Sequence, residues 1–263
     1  MNPIITLTTD FGLKDSYVGA LKGAIISVNR SARIIDISHN VSHRNIFEGS
    51  LYISQSYSFF PKGTIHVGVI DPGVGTERRA VIIETADYFF VGPDNGLFTH
   101  VLVHEKIKQI INITNKKYFL KRVSNTFHGR DIFAPVAAYL GMGIDPADLG
   151  VSVNDPCKIA KSLPVRSGNT IRGEVIYIDS FGNLITNITD KNIESLKTLS
   201  SGIEVSIKGR IIDGINLTYG TVEKGGLVAL AGSSGYIEIA CNCNSAAEIL
   251  NVTAGEKVEV TSV

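Results

Sequence analysis

The stretch that decides the fold is VGVIDPGVGTERR, at residues 67–79. It begins inside an apolar run, residues 64–70, that is long enough for one buried strand and ends at the carboxylate of Asp71. A proline and two glycines then turn the chain, and two arginines precede the next apolar run. We therefore predict a core strand with Asp71 at its exit, where open α/β sheets bind ligands, and Arg78 folding back towards that carboxylate.

The beginning of the chain repeats this arrangement, because an apolar run rich in β-branched residues ends at Asp10, next to a glycine. Strands and helices are then predicted to alternate, with Asp15 as the N-cap of the first helix. In order, these elements are a strand at 4–9, a helix to about Val28, a strand at 33–38, a helix at 45–60 and the strand at 64–70. The alternation is typical of an α/β domain with a mostly parallel sheet.

Further strands and polar loops follow in the same half of the chain. A strong turn signal at residues 92–96 contains Asp94, and a polar loop at 125–131 contains His128. Asp131, at the end of this loop, is predicted to cap a helix that runs to about Leu140. The additional strands are predicted at residues 80–86, 88–92 and 108–113, with a short helix up to Val103.

The second part of the chain has a different pattern of predicted secondary structure. Residues 150–173 read as a linker-like passage, and after it strand patterns separated by turns dominate, with helix predicted only at 244–250. We place the boundary near residues 161–172. The prediction is an α/β N-terminal domain at residues 1–162 and a smaller all-β, barrel-like C-terminal domain at residues 172–263.

Bulk composition excludes several classes of function. The 263 residues carry 25 basic and 25 acidic side chains, so the net charge indicates neither nucleic acid nor an anionic membrane as a partner. The three cysteines do not suggest a disulfide framework, and Cys241 and Cys243 are interpreted as alternate residues of one strand. The N-terminus lacks a signal-type pattern, so we expect a soluble cytoplasmic protein.

Common catalytic and cofactor motifs are missing from the sequence. Gly73-Val74-Gly75 lacks the Lys and Ser/Thr of a P-loop and the third glycine of a dinucleotide fingerprint. Two histidine pairs with i,i+4 spacing, at residues 39 and 43 and at residues 100 and 104, lack the Glu of the zinc-hydrolase motif. We expect no metal site, because three or four ligands do not emerge. A Gly-x-Ser-x-Gly elbow is also absent.

Taken together, several stretches closely resemble one family, the S-adenosyl-L-methionine (SAM) hydroxide adenosyltransferases, or SAM hydrolases, which are related to fluorinase and chlorinase. The resemblance spans nearly the whole chain, and six weak motifs in the expected order make it specific. These motifs are TTDFG at 8–12, DPGVGT at 71–76 with Arg78, GPDNG at 92–96, FHGRD at 127–131, DSFGN at 179–183 and SSGY at 233–236.

The resemblance implies a reaction and an assembly. Water or hydroxide would attack C5′ of the ribose and expel L-methionine, leaving adenosine, with SAM as the substrate and without a further cofactor. The first domain would be the SAM-binding and catalytic one. The assembly would be a homotrimer, in which SAM lies between the N-terminal domain of one subunit and the C-terminal domain of its neighbour.

The resemblance also implies roles for particular residues. The family's water-activating triad falls on Asp71, Arg78 and His128, although Arg79 is a second candidate for the arginine. Asp71 and His128 both remain candidates for the base. The residues expected around SAM are Asp10 at the ribose hydroxyls, Asp179 and Ser233 at the methionine end, and Phe181 and Asn183 around the remainder.

Two other functions stay open at this stage. The halogenating relatives resemble the chain in fold but carry a tyrosine where this chain has Asp71, and a carboxylate would repel a halide. The chain also shows no long insertion between Ala86 and Gly92, where fluorinase carries one. A SAM- or adenosine-binding sensor with negligible turnover is the alternative from another class, and the complete triad disfavours it.

Overall fold

A computed structural model describes residues 2–160, 163–197 and 202–263 of the chain. The chain divides into two compact units, Met1–Ala160 and Lys161–Val263, which are described separately below. Among the residues that the structure describes, none of the helices has the length and apolar character needed to cross a membrane.

Unit 1 is built on a seven-stranded mixed sheet with the order β2-β1-β3-β5-β4-β6-β7. Four adjacent strands, β2, β1, β3 and β5, run parallel to one another. Beyond β5, the strands β4, β6 and β7 are added in antiparallel pairing. The strands are β1 (Ile4–Thr9), β2 (Arg33–Ser38), β3 (Ile65–Val69), β4 (Ala80–Thr85), β5 (Phe89–Pro93), β6 (Ile107–Ile113) and β7 (Gly150–Ser152).

Helices cover both faces of this sheet, which explains why β3 is buried throughout. The helices α1 (Tyr17–Val28) and α4 (Ala134–Gly141) pack on each other and form one core with β1 and β3. The helices α2 (Ile46–Ser56) and α3 (Thr99–His104) pack together on the opposite face, where residues such as Phe90 form a second core. Unit 1 is therefore a three-layer α/β structure.

The connections of β1 create a crevice at one sheet edge. The chain leaves β1 through α1 to β2 on one side, then crosses through α2 to β3 on the other side of β1. Thr9 of β1 lies beside Val69 of β3 in the parallel register. Asp10 and the Ile70–Asp71 segment therefore leave the sheet side by side, at a topological switch point, where α/β sheets bind ligands.

Unit 2 contains an eight-stranded antiparallel sheet with the order β12-β11-β15-β9-β10-β14-β13, in which β8 also pairs with β9. A bridge between Asn216 and Leu230 brings the chain after β12 beside β13, so the sheet nearly closes around an apolar core. The strands are β8 (Val165–Ser167), β9 (Thr170–Ile178), β10 (Leu184–Thr189), β11 (Ile203–Ile207), β12 (Arg210–Asp213), β13 (Leu227–Ala231), β14 (Tyr236–Cys241) and β15 (Lys257–Ser262), with helices α5 (Asp190–Lys197) and α6 (Ala246–Leu250).

The predicted fold class is confirmed, but two predicted helix caps are wrong. The first helix begins at Tyr17 with Ser16 at the N-cap position, and Asp15 is exposed. Asp131 does not cap a helix either, because it lies inside a π-helical turn, Gly129–Phe133, that runs directly into α4. Its carboxylate is fully buried and bonds to other groups, as described below.

Three further expectations for the second part of the chain are wrong. The helix α5 shows that 244–250 is not the only helical segment there. Within the predicted linker, residues 161 and 162 lie outside the described residues, but β8 shows that part of the remainder is a strand. Cys243 does not share a strand with Cys241, since β14 ends at Cys241 and Cys243 follows in a turn at φ 60°.

Candidate active site

Three side chains from distant parts of unit 1 meet at the switch point. Arg78 Nε donates to both carboxylate oxygens of Asp71, at 2.9 and 3.1 Å, and Arg78 Nη2 donates to Oδ2 as well. The same Nη2 lies 2.8 Å from Nδ1 of His128. The side chains of Arg78 and Asp71 are only 10% and 5% exposed. The guanidinium therefore links the carboxylate and the imidazole in a largely desolvated cluster.

The loop between Asp71 and Arg78 is held by local bonds and by a close approach. Thr76 donates through its backbone nitrogen and its hydroxyl to the carbonyl of Gly73, at 3.2 and 2.7 Å. Gly75 has φ +77°, and a Cβ there would lie 2.2 Å from the carbonyl oxygen of Asn125. Glycine is therefore required for both conformation and space. This contact joins the arginine loop to the segment that precedes His128.

The contact with Arg78 fixes the tautomer of His128. An arginine side chain stays protonated and only donates, so Nδ1 of His128 must accept, and the proton of the neutral ring lies on Nε2. Burial first, and then the Arg78 guanidinium, lower the pKa of His128, while the carboxylates of Asp71 and Asp131 act in the opposite direction. The ring is therefore neutral near pH 7 and offers an Nε2–H donor.

A cavity of about 380 Å³ opens beside this cluster and contains Asp10. The Oδ2 atom of Asp10 accepts a 2.8 Å hydrogen bond from the backbone nitrogen of Arg44, which has φ 63°. Asp71 and His128 line the same cavity. The structure thus brings Asp10 together with the three-residue cluster, on the switch-point side of the sheet.

Arg79 belongs to a different network. Its Nε donates to Asp94 Oδ2 at 2.8 Å, and its Nη1 and Nη2 donate to the side chain and carbonyl of Asp155, both at 2.6 Å. Asp94 Oδ1 accepts from the backbone nitrogen of Cys157 at 2.8 Å. These bonds fasten the 155–157 segment, so Arg78, and not Arg79, is the arginine that contacts Asp71 and His128.

In unit 2, Asp179 organises the turn that carries Phe181 and Asn183. Its Oδ1 accepts from the backbone nitrogens of both residues at 2.9 Å, and its Oδ2 accepts from Nδ2 of Asn183 at 2.9 Å. Phe181 is 77% exposed. Phe181 and Asn183 line a cleft of about 570 Å³, whose other lining residues are Tyr219, Cys241, Cys243, Asn244 and Ser245.

The remaining site candidate and one unpredicted carboxylate lie at the turn after β13. Ser233 is exposed in this turn and does not line the cleft. Beneath the turn lies the buried Glu238, which accepts from the Tyr219 hydroxyl at 3.0 Å. Burial and the Asp179 charge raise the pKa of Glu238, and burial and Glu238 raise that of Tyr219 to about 12. Sequence reasoning missed Glu238, because a strand residue between isoleucines carries no motif.

The first histidine of each pair is buried and hydrogen-bonded, whereas His43 and His104 are exposed. Nδ1 of His39 contacts the Thr9 hydroxyl at 2.9 Å, and Nδ1 of His100 contacts the Ser50 hydroxyl at 2.8 Å. In the part of the chain that the structure describes, no three His, Cys, Asp or Glu side chains converge in a metal-binding arrangement.

Comparison with protein-family models places the chain in a known class of enzymes. Residues 5–150 match the SAM hydroxide adenosyltransferase N-terminal domain, and residues 173–259 match the C-terminal domain of the same family. The chain therefore belongs to the SAM hydroxide adenosyltransferase family.

Individual relatives agree with this assignment. The chain is 38% identical to a protein of Methanocaldococcus jannaschii named (R)-S-adenosyl-L-methionine hydrolase, over 98% of this chain and 95% of the relative. A protein of the same name from Salinispora arenicola is 34% identical, over 99% and 98% of the two chains. A fluorinase of an Actinoplanes species is more distant, at 29% identity over 99% and 98%. A crystal structure of an uncharacterized conserved protein from Thermotoga maritima superposes with a TM-score of 0.91, at 37% identity over 98% and 99%.

Proposed function

We propose that the protein hydrolyses SAM to adenosine and L-methionine, by attack of water or hydroxide at C5′ of the ribose. The observation that carries this proposal is the Asp71–Arg78–His128 cluster at the switch point of unit 1. The relatives named (R)-SAM hydrolase support the reaction, since they match over nearly the full chain. SAM is thus a small-molecule substrate of this family's site.

The chemistry of the substrate sets what the protein must supply. A sulfonium leaves as a neutral thioether, so the departing methionine needs no general acid. Water is a weak nucleophile, so it must be held in line with the C5′–S bond and must lose a proton. We therefore propose that neither a metal nor another cofactor takes part, and that the cluster acts on the water.

Within the cluster, Asp71 is the acceptor that suits the proton. Nδ1 of His128 is occupied by Arg78 and its Nε2 carries a hydrogen, so the neutral ring can donate to the water oxygen but cannot take its proton. The Asp71 carboxylate has lone pairs beyond those bound to Arg78, and it lines the same cavity. The fixed charge of Arg78 would stabilise developing hydroxide.

The proposed SAM contacts follow from the polar groups of each unit. Asp10 has one carboxylate oxygen held by Arg44, which leaves Oδ1 to accept from ribose hydroxyls. In unit 2, the exposed ring of Phe181 offers a stacking surface for a purine. Because Nδ2 of Asn183 donates to Asp179, its Oδ1 remains an acceptor for an exocyclic amine such as that of adenine.

The methionine end and the assembly are proposed on the resemblance. The carboxylate of Asp179 suits an ammonium group, and the exposed hydroxyl of Ser233 suits a carboxylate. A homotrimer would combine unit 1 of one subunit with unit 2 of its neighbour around one SAM molecule. Sedimentation or light scattering checks this assembly, and a monomeric active enzyme would contradict it.

The test of the function is a product assay. Purified protein is incubated with SAM in halide-free buffer containing EDTA, and adenosine and methionine are followed by chromatography. Equimolar products, lost in Asp71→Ala while SAM binding survives, support hydrolysis. SAM that binds but stays intact would favour a sensor. Formation of 5′-chloro-5′-deoxyadenosine after addition of chloride would favour the halogenating reaction of more distant relatives.

A further inference from the structure

The π-helical turn that follows His128 contains a buried carboxylate, paired with a partly exposed arginine, that the proposed mechanism does not use. Asp131 lies three residues after His128 and is 0% exposed. Its Oδ1 accepts from Arg130 Nε at 2.7 Å, and its Oδ2 accepts from Arg130 Nη2 at 3.1 Å. A buried carboxylate is costly unless its bonds are satisfied, so its partners indicate what it holds in place.

The partners of Asp131 lie on the segment that leads into His128. Oδ2 accepts from the backbone nitrogen of Ser124 at 2.8 Å. The backbone nitrogen of Asp131 donates to the carbonyl of Phe127, and its carbonyl accepts from Leu120 at 3.0 Å. One residue thus fixes both ends of the loop from Leu120 to Phe127, and with it the backbone position from which the imidazole reaches Arg78.

Arg130 carries this restraint to the wall of the cavity. Its guanidinium carbon lies 4.9 Å from the centroid of the Phe127 ring. Phe127 packs edge to face against Phe11 and Tyr17, with centroid distances of 5.7 and 5.4 Å. Phe11 directly follows Asp10, and the residues Phe11 and Phe127 line the cavity together with His128. The pair therefore connects the histidine to the loop that carries the ribose-binding candidate.

The π-helical turn makes this arrangement possible. A π turn widens the helix by one residue, and such turns are frequent at functional sites. Here Gly129 packs against Val69, where a Cβ would lie 3.1 Å from the nearest side-chain carbon. The turn thus sits on the end of β3, next to the Asp71 loop, with Asp131 buried and His128 open to the cavity.

We propose that Asp131, with Arg130, is a positioning residue for the hydrolysis, holding His128 in hydrogen-bond contact with Arg78. The positioning role rests on the proposed function, whereas the contact between His128 and Arg78 does not depend on that function. Two kinds of measurement therefore test it: turnover of SAM, and the state of the His128 ring itself.

Three variants separate charge, hydrogen bonding and packing. Asp131→Asn keeps an oxygen for the Ser124 nitrogen but removes the charge that binds Arg130. Asp131→Ala removes both. Arg130→Lys keeps a cation beside Asp131 but loses the planar group over Phe127. Asn29→Ala is the matched control, because Asn29 is also buried, in unit 1, and lines a cavity that shares no residue with the His128 cavity.

The turnover result expected is a fall in kcat with little change in KM. A misplacement of about 1 Å can cost up to about 100-fold, so we expect about tenfold for Asp131→Asn, more for Asp131→Ala and less for Arg130→Lys. Asn29→Ala should lower the melting temperature but keep kcat. Wild-type kcat in folded Asp131→Asn, or an equal loss in Asn29→Ala, would overturn the proposal.

The second readout is the tautomer of the neutral His128 ring, read from its nitrogen resonances by NMR and assigned with His128→Asn. In the wild type, Nδ1 accepts from Arg78 and the hydrogen lies on Nε2. Because Asp131 is proposed to hold the ring against Arg78, Asp131→Asn should populate the tautomer with the hydrogen on Nδ1, whereas Asn29→Ala should not. An unchanged tautomer in Asp131→Asn contradicts the positioning role. If the wild type does not cleave SAM, the function fails, and this spectrum still decides the positioning.

Discussion

Arg78 and Arg79 are neighbours in the chain, yet their guanidinium groups bind different aspartates. Arg78 reaches Asp71 and His128, whereas Arg79 reaches Asp94 and Asp155. The two side chains leave the backbone on opposite sides just before β4, so one serves the cavity and the other fastens a later segment. This division provides a matched pair of substitutions.

Arg78→Lys is expected to lower kcat by roughly 100-fold, because a lysine ammonium cannot bind Asp71 through two nitrogens and also donate to His128. Arg79→Lys makes the same chemical change one residue away. It should reduce thermal stability and leave kcat within a few-fold of the wild type. Steady-state kinetics with SAM compares the two. Equal losses of kcat would contradict the assignment of Arg78 to the reaction.

The pH dependence of kcat/KM should reflect His128. The pKa of His128 is lowered from the usual value of about 6.5. The ring is therefore neutral above about pH 6.5 and gains a proton only at more acid pH. Protonation would place two cations side by side and remove the Nδ1 acceptor, so activity should fall as the pH drops through the lowered pKa.

His128→Asn serves as the control for that profile, because an amide oxygen can still accept from Arg78 but does not titrate. The fall in kcat/KM at this pH should disappear in the variant. A wild-type profile whose acid limb lies above about pH 6.5 would show that another group controls the rate.

Phe181→Ala should weaken binding of adenosine to the unit 2 cleft. Stacking of a base on an aromatic side chain contributes about 1–3 kcal/mol, which corresponds to roughly five- to 150-fold in Kd. Since Phe181 is 77% exposed, its removal should leave the melting temperature nearly unchanged. Leu217→Ala is the control, because Leu217 is 93% exposed in the same unit but does not line the cleft. Calorimetric titration that finds equal Kd values for the two variants would exclude the stacking role.

His66 should make the protein sensitive to acid. Burial among aromatic rings lowers the pKa of His66 to about 3, so the native ring stays neutral while the unfolded ring binds a proton below about pH 6.5. Stability is therefore retained above that pH and lost as the pH falls towards 3. The slope from this one group is up to about 1.4 kcal/mol per pH unit.

His66→Gln, which keeps a partner for the Thr6 hydroxyl, should lower stability at pH 7 but flatten its decline between pH 6 and 4. Urea unfolding at several pH values measures this slope. A slope identical to that of the wild type would mean that His66 does not govern acid unfolding.

The sequence predicts the strand exits well, because a carboxylate at the end of a continuous apolar run marks where a buried strand must meet water. Asp10 and Asp71 are found by this signal, and the register of β1 and β3 places them side by side. The choice between Arg78 and Arg79 is not predictable in this way, because the two arginines are adjacent and follow Asp71 at almost the same distance along the chain. Only the direction of each side chain decides it.

Other features leave no periodic signal at all. The π-helical turn at Gly129–Phe133 has too few residues to show a repeat, so Asp131 looks like a helix cap. The helix α5 buries only Ile193 and Leu196 among its described side chains, too few for its pattern to stand out. Glu238 comes into view only after folding, because its partner Tyr219 comes from a distant part of the chain.

The contact between Gly75 and Asn125 has a consequence for how mutational scans of this enzyme should be interpreted. Position 75 meets no substrate in the proposed mechanism, yet any side chain there would push the 125 loop, and His128 with it, away from Arg78. In a selection for activity, position 75 would therefore rank with the reacting residues, while a selection for folding alone would tolerate it better. A residue that holds the site geometry would score worse in the selection for activity than in the selection for folding, whereas a residue that holds the fold would score badly in both. Comparing the two selections would therefore separate these two kinds of residue, which a low score in one selection does not.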